Sequence, residues 1–290
     1  MANTIALAKN YTSILDEVYK KASVTADLTS DNTMVRAGAN ANEIVYPQIS
    51  VSGLGDYDRN SGYTNGSVNL EWKTATFNYD RGTKISVDVM DNEESRDIAF
   101  TMAGSELMRT KVAPEADAFV FATLAGKTGI SKATPETYAD ATAFLTALIE
   151  AKNTMDEDEV PEEGRILYAT PTLLNGVMAL DTTKSREVLA TFSKTVKVPQ
   201  SRFYTAIDLL DGKTSGEEAG HYAKAPTGKD INFMIVHKPA VIKFDKHTAS
   251  DIIPASANAN ADADISKYRK YGIVDVYDNK VAGIYLSHKA

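Results

Sequence analysis

The 290-residue sequence contains no cysteine. That absence excludes disulfides, thiolate zinc sites, iron–sulfur clusters and a cysteine nucleophile. Histidine is scarce: His221, His237, His247 and His288 are the only four, and none has a metal-pair spacing such as HExxH. No apolar run approaches the roughly 18 residues of a membrane-spanning helix, so no membrane partner is expected. The start, Met-Ala-Asn-Thr-Ile-Ala-Leu-Ala-Lys, lacks a basic segment followed by a long apolar one, so folding in a cytoplasm is expected. Basic residues are also in deficit, with 31 Lys and Arg against 39 Asp and Glu, a net charge of −8 and a pI near 5.1. Proteins that grip nucleic acid by its phosphates carry a basic excess, so tight DNA binding by the whole chain is not expected.

What is present suits a folded protein. Hydrophobic residues make up 43% and charged residues 24%, which excludes a wholly disordered chain. The length suits two ordinary domains or one large one.

The first 43 residues read as an arm. Tyr11, Ile14, Leu15, Val18 and Tyr19 form one helical stripe, followed by a polar, weakly patterned stretch through Gly38-Ala39-Asn40-Ala41-Asn42. So short a helix is marginal alone and needs a surface, its own or a neighbour's. Residues 44–90 read as strands: Ile49 and Val51, then Val68, Leu70 and Trp72, then Phe77 and Tyr79, then Ile85, Val87 and Val89 alternate with polar residues. The parity shift after Trp72 predicts a bend near Ala75. The pattern predicts a long hairpin, with a polar tip over 57–66 and a turn at Asn65-Gly66. Its apolar face calls for another surface.

Residues 91–126 predict one long helix, opened by Asp91 and Glu94, kinked at Pro114 and ended by Gly126. Ile98, Met102, Met108, Val112, Ala116, Val120 and Leu124 make its stripe. A second helix is expected from Thr134-Pro135, with Ala141, Leu145, Leu148, Ile149 and Lys152 on one face. Asp156 to Gly164 reads as a solvated acidic loop. The strand Arg165–Ala169 then runs into Thr170-Pro171, a cap and a first-turn proline, opening a helix to Leu180. Val196, Val198, Phe203, Tyr204, Ile207 and Leu209 suggest strand pieces, and 212–228 a polar loop. Strands are expected at 231–236 and 240–244, and a closing hairpin at 271–277 and 281–286 across Asp278-Asn279-Lys280.

No motif demands a reaction. Asp56-Tyr57-Asp58-Arg59-Asn60 starts like a calcium loop, but the glycine falls at Gly62 instead of 61 and the twelfth position is Ser67. Gly53-Leu54-Gly55 lacks a third glycine and precedes no helix, and no phosphate loop or nucleophile elbow is present. No catalytic, cofactor-binding or metal-ligating residue is expected, and no cofactor.

The order of parts resembles the major capsid proteins of tailed bacteriophages, the Hong-Kong-97-like fold. Three stretches carry the resemblance: Phe77 to Asp88 running into Met90-Asp91-Asn92-Glu93-Glu94, then Lys111-Val112-Ala113-Pro114-Glu115-Ala116-Asp117, then Arg165 to Leu174. The resemblance implies an α+β capsid fold with an N-terminal arm (1–45), an extended β-hairpin loop (46–90), a peripheral domain (91–132 and 246–290) and an axial domain (133–245). Many relatives carry glycines near a strand after the axial helices, and here Val196 to Leu209 has none. It also implies a non-enzymatic shell protein that forms hexamers and pentamers of itself in the host cytoplasm and resides in the virion. Portal and decoration proteins, and weakly contacted double-stranded DNA, are the further partners it implies. Some relatives carry a long N-terminal scaffolding segment. About 45 residues before the hairpin are too few for that, so a separate scaffolding protein is expected. Some relatives cross-link an extended-loop lysine to a neighbour's asparagine. The tip 57–66 holds no lysine, and Lys73 and Lys84 lie lower on the strands, so no such cross-link is expected.

Three other readings compete. A cellular encapsulin-type nanocompartment shell has the same fold. An α/β hydrolase or binding protein would need a convergent polar site, which the sequence does not offer. A phage tail-tube protein would be mostly β, against the helical stretch at 91–126.

Overall fold

In the computed structural model, residues 22–30, 36–37, 42–94 and 98–290 are described. The expected arm helix around Tyr11, Ile14, Leu15, Val18 and Tyr19 lies outside them, as do the side chains of Ile98 and Met102. The chain forms two compact units, Asp31–Asn78 and Met1–Ser30 with Tyr79–Ala290.

The smaller unit is a ribbon of β1 (Arg36–Ala37), β2 (Glu43–Val51) and β3 (Val68–Thr76), antiparallel throughout. β2 and β3 pair from Glu43↔Thr76 to Val51↔Val68, without the bend expected near Ala75. Ser52 and Ser67 close the foot of the loop, by Ser52 N donating to Ser67 O at 2.9 Å and Ser67 N donating to Ser52 Oγ at 2.8 Å. The chain reverses at Asp58–Gly62, not at Asn65-Gly66 as the sequence suggested. The Asp58 carboxylate accepts from Asn60 N (2.6 Å) and Ser61 N (2.9 Å), and Gly62 takes φ +81°, where a side chain would be strained.

The larger unit opens, after residues 22–30, with β4 (Tyr79–Asp88). The sequence reading ran this strand into the hairpin. It instead pairs antiparallel along its whole length in a separate three-stranded sheet with the late strands described below. Asp88, not Asp91, caps the next helix, α1 (Val89–Glu94), by accepting from Met90 N at 2.9 Å. α2 (Ile98–Leu107) follows, then a π-helical turn (Met108–Val112), then α3 (Ala113–Gly126). The expected single helix is therefore segmented. Pro114 has no N–H to give the ladder, and the turn before it widens to the i→i+5 pattern.

β5 (Ser131–Lys132) precedes an extended segment through Thr134-Pro135, which is pinned by Ala133 N to Leu286 O (2.9 Å) and Glu136 N to His288 O (3.1 Å). The helix expected at Thr134 begins only at α4 (Ala141–Glu157), where the Asp140 side chain accepts from Ala143 N at 2.8 Å. β6 (Arg165–Ala169) and α5 (Pro171–Leu180) fall where the sequence placed them. α6 (Thr183–Ala190) was not anticipated; its capping box uses Ser185 where Glu or Gln is the usual signal.

β7 (Lys194–Lys197) follows, and β8 (Ile207–Leu209) pairs with β9 (Tyr222–Lys224) inside the expected polar loop. Last come β10 (Ile231–His237), β11 (Val241–Ile253), β12 (Ala263–Val276) and β13 (Ile284–His288). β12 lies between β11 and β4, whereas β13 joins the five-stranded sheet β5-β13-β10-β6-β7. The expected closing hairpin is thus wrong. The 3₁₀ turn Asp278–Gly283 sends the chain from one sheet to the other. Gly283 lies so close to Ala240 that an added Cβ would sit 2.8 Å from the Ala240 Cβ.

The five-stranded sheet is the centre of the fold. β6 and β10 are buried along their whole lengths, because both faces of the sheet are covered. Alternate residues sort the two cores. Ile166, Tyr168, Met234 and Val236 join Val120, Phe121 and Leu124 of α3. Leu167, Ala169, Phe233 and Ile235 join Phe144, Leu145 and Leu148 of α4 and Leu174 of α5.

Candidate assembly surface and buried charge clusters

The ribbon carries most of the exposed large apolar side chains among the described residues. Among the described residues, every large apolar side chain counted as exposed lies in it, except Met90 and Met178. Residues directly opposite in an antiparallel pair share a face. The pairs Pro47↔Trp72, Ile49↔Leu70 and Val51↔Val68 therefore make one wholly apolar face. Val68 (71%), Val51 (68%), Ile49 (60%), Leu70 (52%) and Trp72 (46%) stand open to solvent. The other face presents Gln48↔Glu71 and Ser50↔Asn69. Nearer the root the pattern inverts, and Ile44, Tyr46 and Ala75, on the second face, are buried. A ribbon with such a face gains stability by covering it.

Two buried charge clusters flank α3 in the larger unit. Asp117 is fully buried. Its carboxylate accepts from Ser23 Oγ (2.7 Å), Val24 N (3.0 Å), Thr25 N (3.1 Å), Thr25 Oγ1 (2.7 Å) and Arg202 (3.1 Å). Next to it, buried Lys243 donates to Thr25 O and, at 3.0 Å, to Thr25 Oγ1. Burial and then the charge of Lys270 push the Lys243 ammonium down to about 8. The segment 22–30 is thereby tied to α3 and β11.

Glu115 lies two residues away and so points to a different side of the helix. Arg81 of β4 grips it at 2.7 and 3.3 Å and also donates to the carbonyls of Leu210 (2.8 Å) and His221 (3.1 Å). One guanidinium thus joins the three-stranded sheet, α3 and the loops beside β8 and β9. These groups, with Tyr79, Lys111 and Tyr268, line a cleft of about 500 Å³. Burial raises the Glu115 carboxyl, but His221 and Arg81 more than offset it, so it titrates below its usual range. His221 Nδ1 lies 3.5 Å from the carboxylate, beyond a good hydrogen bond, and the Arg81 bonds are the stronger hold. A depressed carboxylate adds stability above its ordinary value of 4.5, which is lost as pH falls through the lowered folded value. Glu115→Gln is therefore expected to flatten the acid limb of a melting-temperature profile taken from neutral pH to about 3. Parallel profiles for the two chains would contradict this role.

The histidines do not converge. His221 faces Glu115, His237 is buried at the end of β10, His247 sits within β11 opposite Tyr271, and His288 Nδ1 contacts Lys289 O at 2.7 Å. The calcium-like Asp58 is taken up by its own turn. No group of His, Asp and Glu among the described residues is placed to hold a metal. Sequence reasoning quoted Arg81, Glu115 and Asp117 only as parts of motifs and missed their burial. The available signal was two acids inside an apolar helical stripe.

Comparison of the sequence with family models and with curated proteins finds no match. Comparison of the fold does. The chain superposes on the capsid structure of cyanophage P-SCSP1u with a TM-score of 0.60 at 15% identity, over 93% of this chain and 88% of that one. The mature capsid of bacteriophage PhiM1 gives 0.60 at 13% identity, over 86% and 82%. This chain has the Hong-Kong-97-like capsid fold. A virus-like particle from Pyrococcus furiosus also matches, with a TM-score of 0.60 at 8% identity over 97% and 99%.

Proposed function

We propose that the chain is a structural major capsid protein of a tailed bacteriophage. It assembles into hexamers and pentamers that close as an icosahedral head around double-stranded DNA. The observation that carries this reading is the apolar face on which Ile49, Val51, Val68, Leu70 and Trp72 stand open to solvent, on a chain with the capsid fold. Closed shells form when each subunit covers such a face with a neighbour. In this reading residues 1–45 are the arm and 46–90 the extended loop. Residues 91–132 and 246–290 are the peripheral domain and 133–245 the axial domain. A separate scaffolding protein, a portal and decoration proteins are its partners, assembly takes place in the host cytoplasm, and the role is non-enzymatic. The net charge of −8 suits a container that holds its DNA weakly.

A second reading, the shell of a cellular nanocompartment, is favoured by the likeness to the Pyrococcus particle. The contents of native particles decide: nuclease-protected double-stranded DNA supports the phage head, and a protein cargo without DNA the nanocompartment. No lysine occupies the tip 57–66, so boiled mature particles are expected to run as a monomer band on a denaturing gel. A covalent ladder would overturn that expectation.

A further inference from the structure

The sequence contains the dipeptide Asn-Gly twice, at Asn65-Gly66 and Asn175-Gly176. We propose that Asn65 is a site of spontaneous deamidation and that the structure protects Asn175. The reaction needs the backbone nitrogen of the following residue to reach the asparagine side-chain carbon. Glycine permits this best, because no side chain shields its nitrogen.

Both asparagines are exposed, so exposure does not separate them. The backbone does. Asn65 and Gly66 lie in the irregular stretch between the Asp58–Gly62 turn and β3. Neither makes a hydrogen bond with a described residue. The Gly66 N–H is free to turn toward the carboxamide of Asn65. Asn175-Gly176 sits inside α5 (Pro171–Leu180). Gly176 is past the first turn, so its N–H belongs to the helical ladder. Gly176 is also held close to α4, with an added Cβ only 3.3 Å from the Ala141 Cβ. Reaction at Asn175 requires that turn to open first.

The chemistry balances with water alone. The Gly66 nitrogen bonds to the Asn65 side-chain carbon, the bond from that carbon to Nδ2 breaks, and ammonia leaves with the amide proton. Water then opens the five-membered imide at either carbonyl, giving aspartate or isoaspartate. No oxidant or reductant takes part. Each converted chain gains one negative charge, three residues before Val68.

The test incubates the purified full chain at mildly alkaline pH and follows both peptides by mass spectrometry with an isoaspartate assay. The Asn65 peptide is expected to convert to a mixture of isoaspartate and aspartate. Its rate should be at least about tenfold that of the Asn175 peptide in the folded chain. In denaturant the two rates should converge, which assigns the difference to structure. Asn65→Ser should remove the early isoaspartate signal. A folded chain in which Asn65 stays intact while it converts in denaturant would overturn the proposal, and so would equal rates at both sites in the folded chain.

Discussion

Asp117→Ala is expected to lower the melting temperature by about 10 °C. The fully buried carboxylate accepts five hydrogen bonds, and most of those donors lie on residues 23–25. Removing it leaves Thr25 N and Oγ1 and Ser23 Oγ without their acceptor in places water reaches poorly. Each buried donor left unsatisfied costs about 1–3 kcal/mol. Removing one partner of a buried ion pair costs about 3–5 kcal/mol, here because Arg202 keeps its charge. The sum is less than additive, since all the donors share one acceptor. A net loss of about 4 kcal/mol corresponds to the stated shift for a chain of this size. Asp117→Asn keeps an acceptor oxygen but turns an amide toward Arg202, so an intermediate loss is expected. Thermal unfolding by circular dichroism reads both. A shift under about 2 °C for Asp117→Ala would show that segment 22–30 is not held by this carboxylate.

Leu70→Lys is expected to stop assembly while leaving the subunit folded. Leu70 is half exposed and pairs with Ile49 in the middle of the apolar face. Exposed substitutions usually change stability by less than about 0.5 kcal/mol, so the melting temperature of the free subunit should hardly move. In a covered face the same change removes about 2 kcal/mol of apolar burial and adds a charge that must be desolvated. A combined penalty near 4 kcal/mol weakens each subunit contact about a thousandfold. Asn69→Lys puts the same charge on the opposite face of the same strand. It is expected to leave assembly intact, which separates a face-specific effect from a change in net charge. Analytical ultracentrifugation distinguishes subunits from particles. Leu70→Lys particles formed in normal yield would mean that this face is not an interface.

Local chemistry was the legible part of this sequence. Arg165 to Leu180 fell into place because the strand, its cap and its first-turn proline are adjacent in the chain. The paired strands β2 and β3 were legible from alternation alone, and the same alternation marked Val68, Leu70 and Trp72 as a surface in need of a cover. Strand partners were not legible. Period-two patterning marks β4, β12 and β13 as strands but does not say which sheet each joins, and the assumed neighbours were wrong in both places. Helix starts failed where a stronger cap lay nearby: Asp88 outranked Asp91, and Asp140 outranked Thr134-Pro135. The charge clusters were hidden for a different reason. The partners of Asp117 and Glu115 lie far away in sequence, at Ser23, Thr25, Arg81 and Arg202, and nothing local to the helix announces them.

The central claim is that this chain builds a closed shell, and electron microscopy of the purified chain tests it most directly. Size-exclusion chromatography selects the fraction, and negative stain images it with and without a scaffolding protein. The expected result, if the proposed role holds, is shells, or rings with five-fold or six-fold symmetry. A uniform small monomer that stays monomeric on concentration and with scaffold would contradict the account.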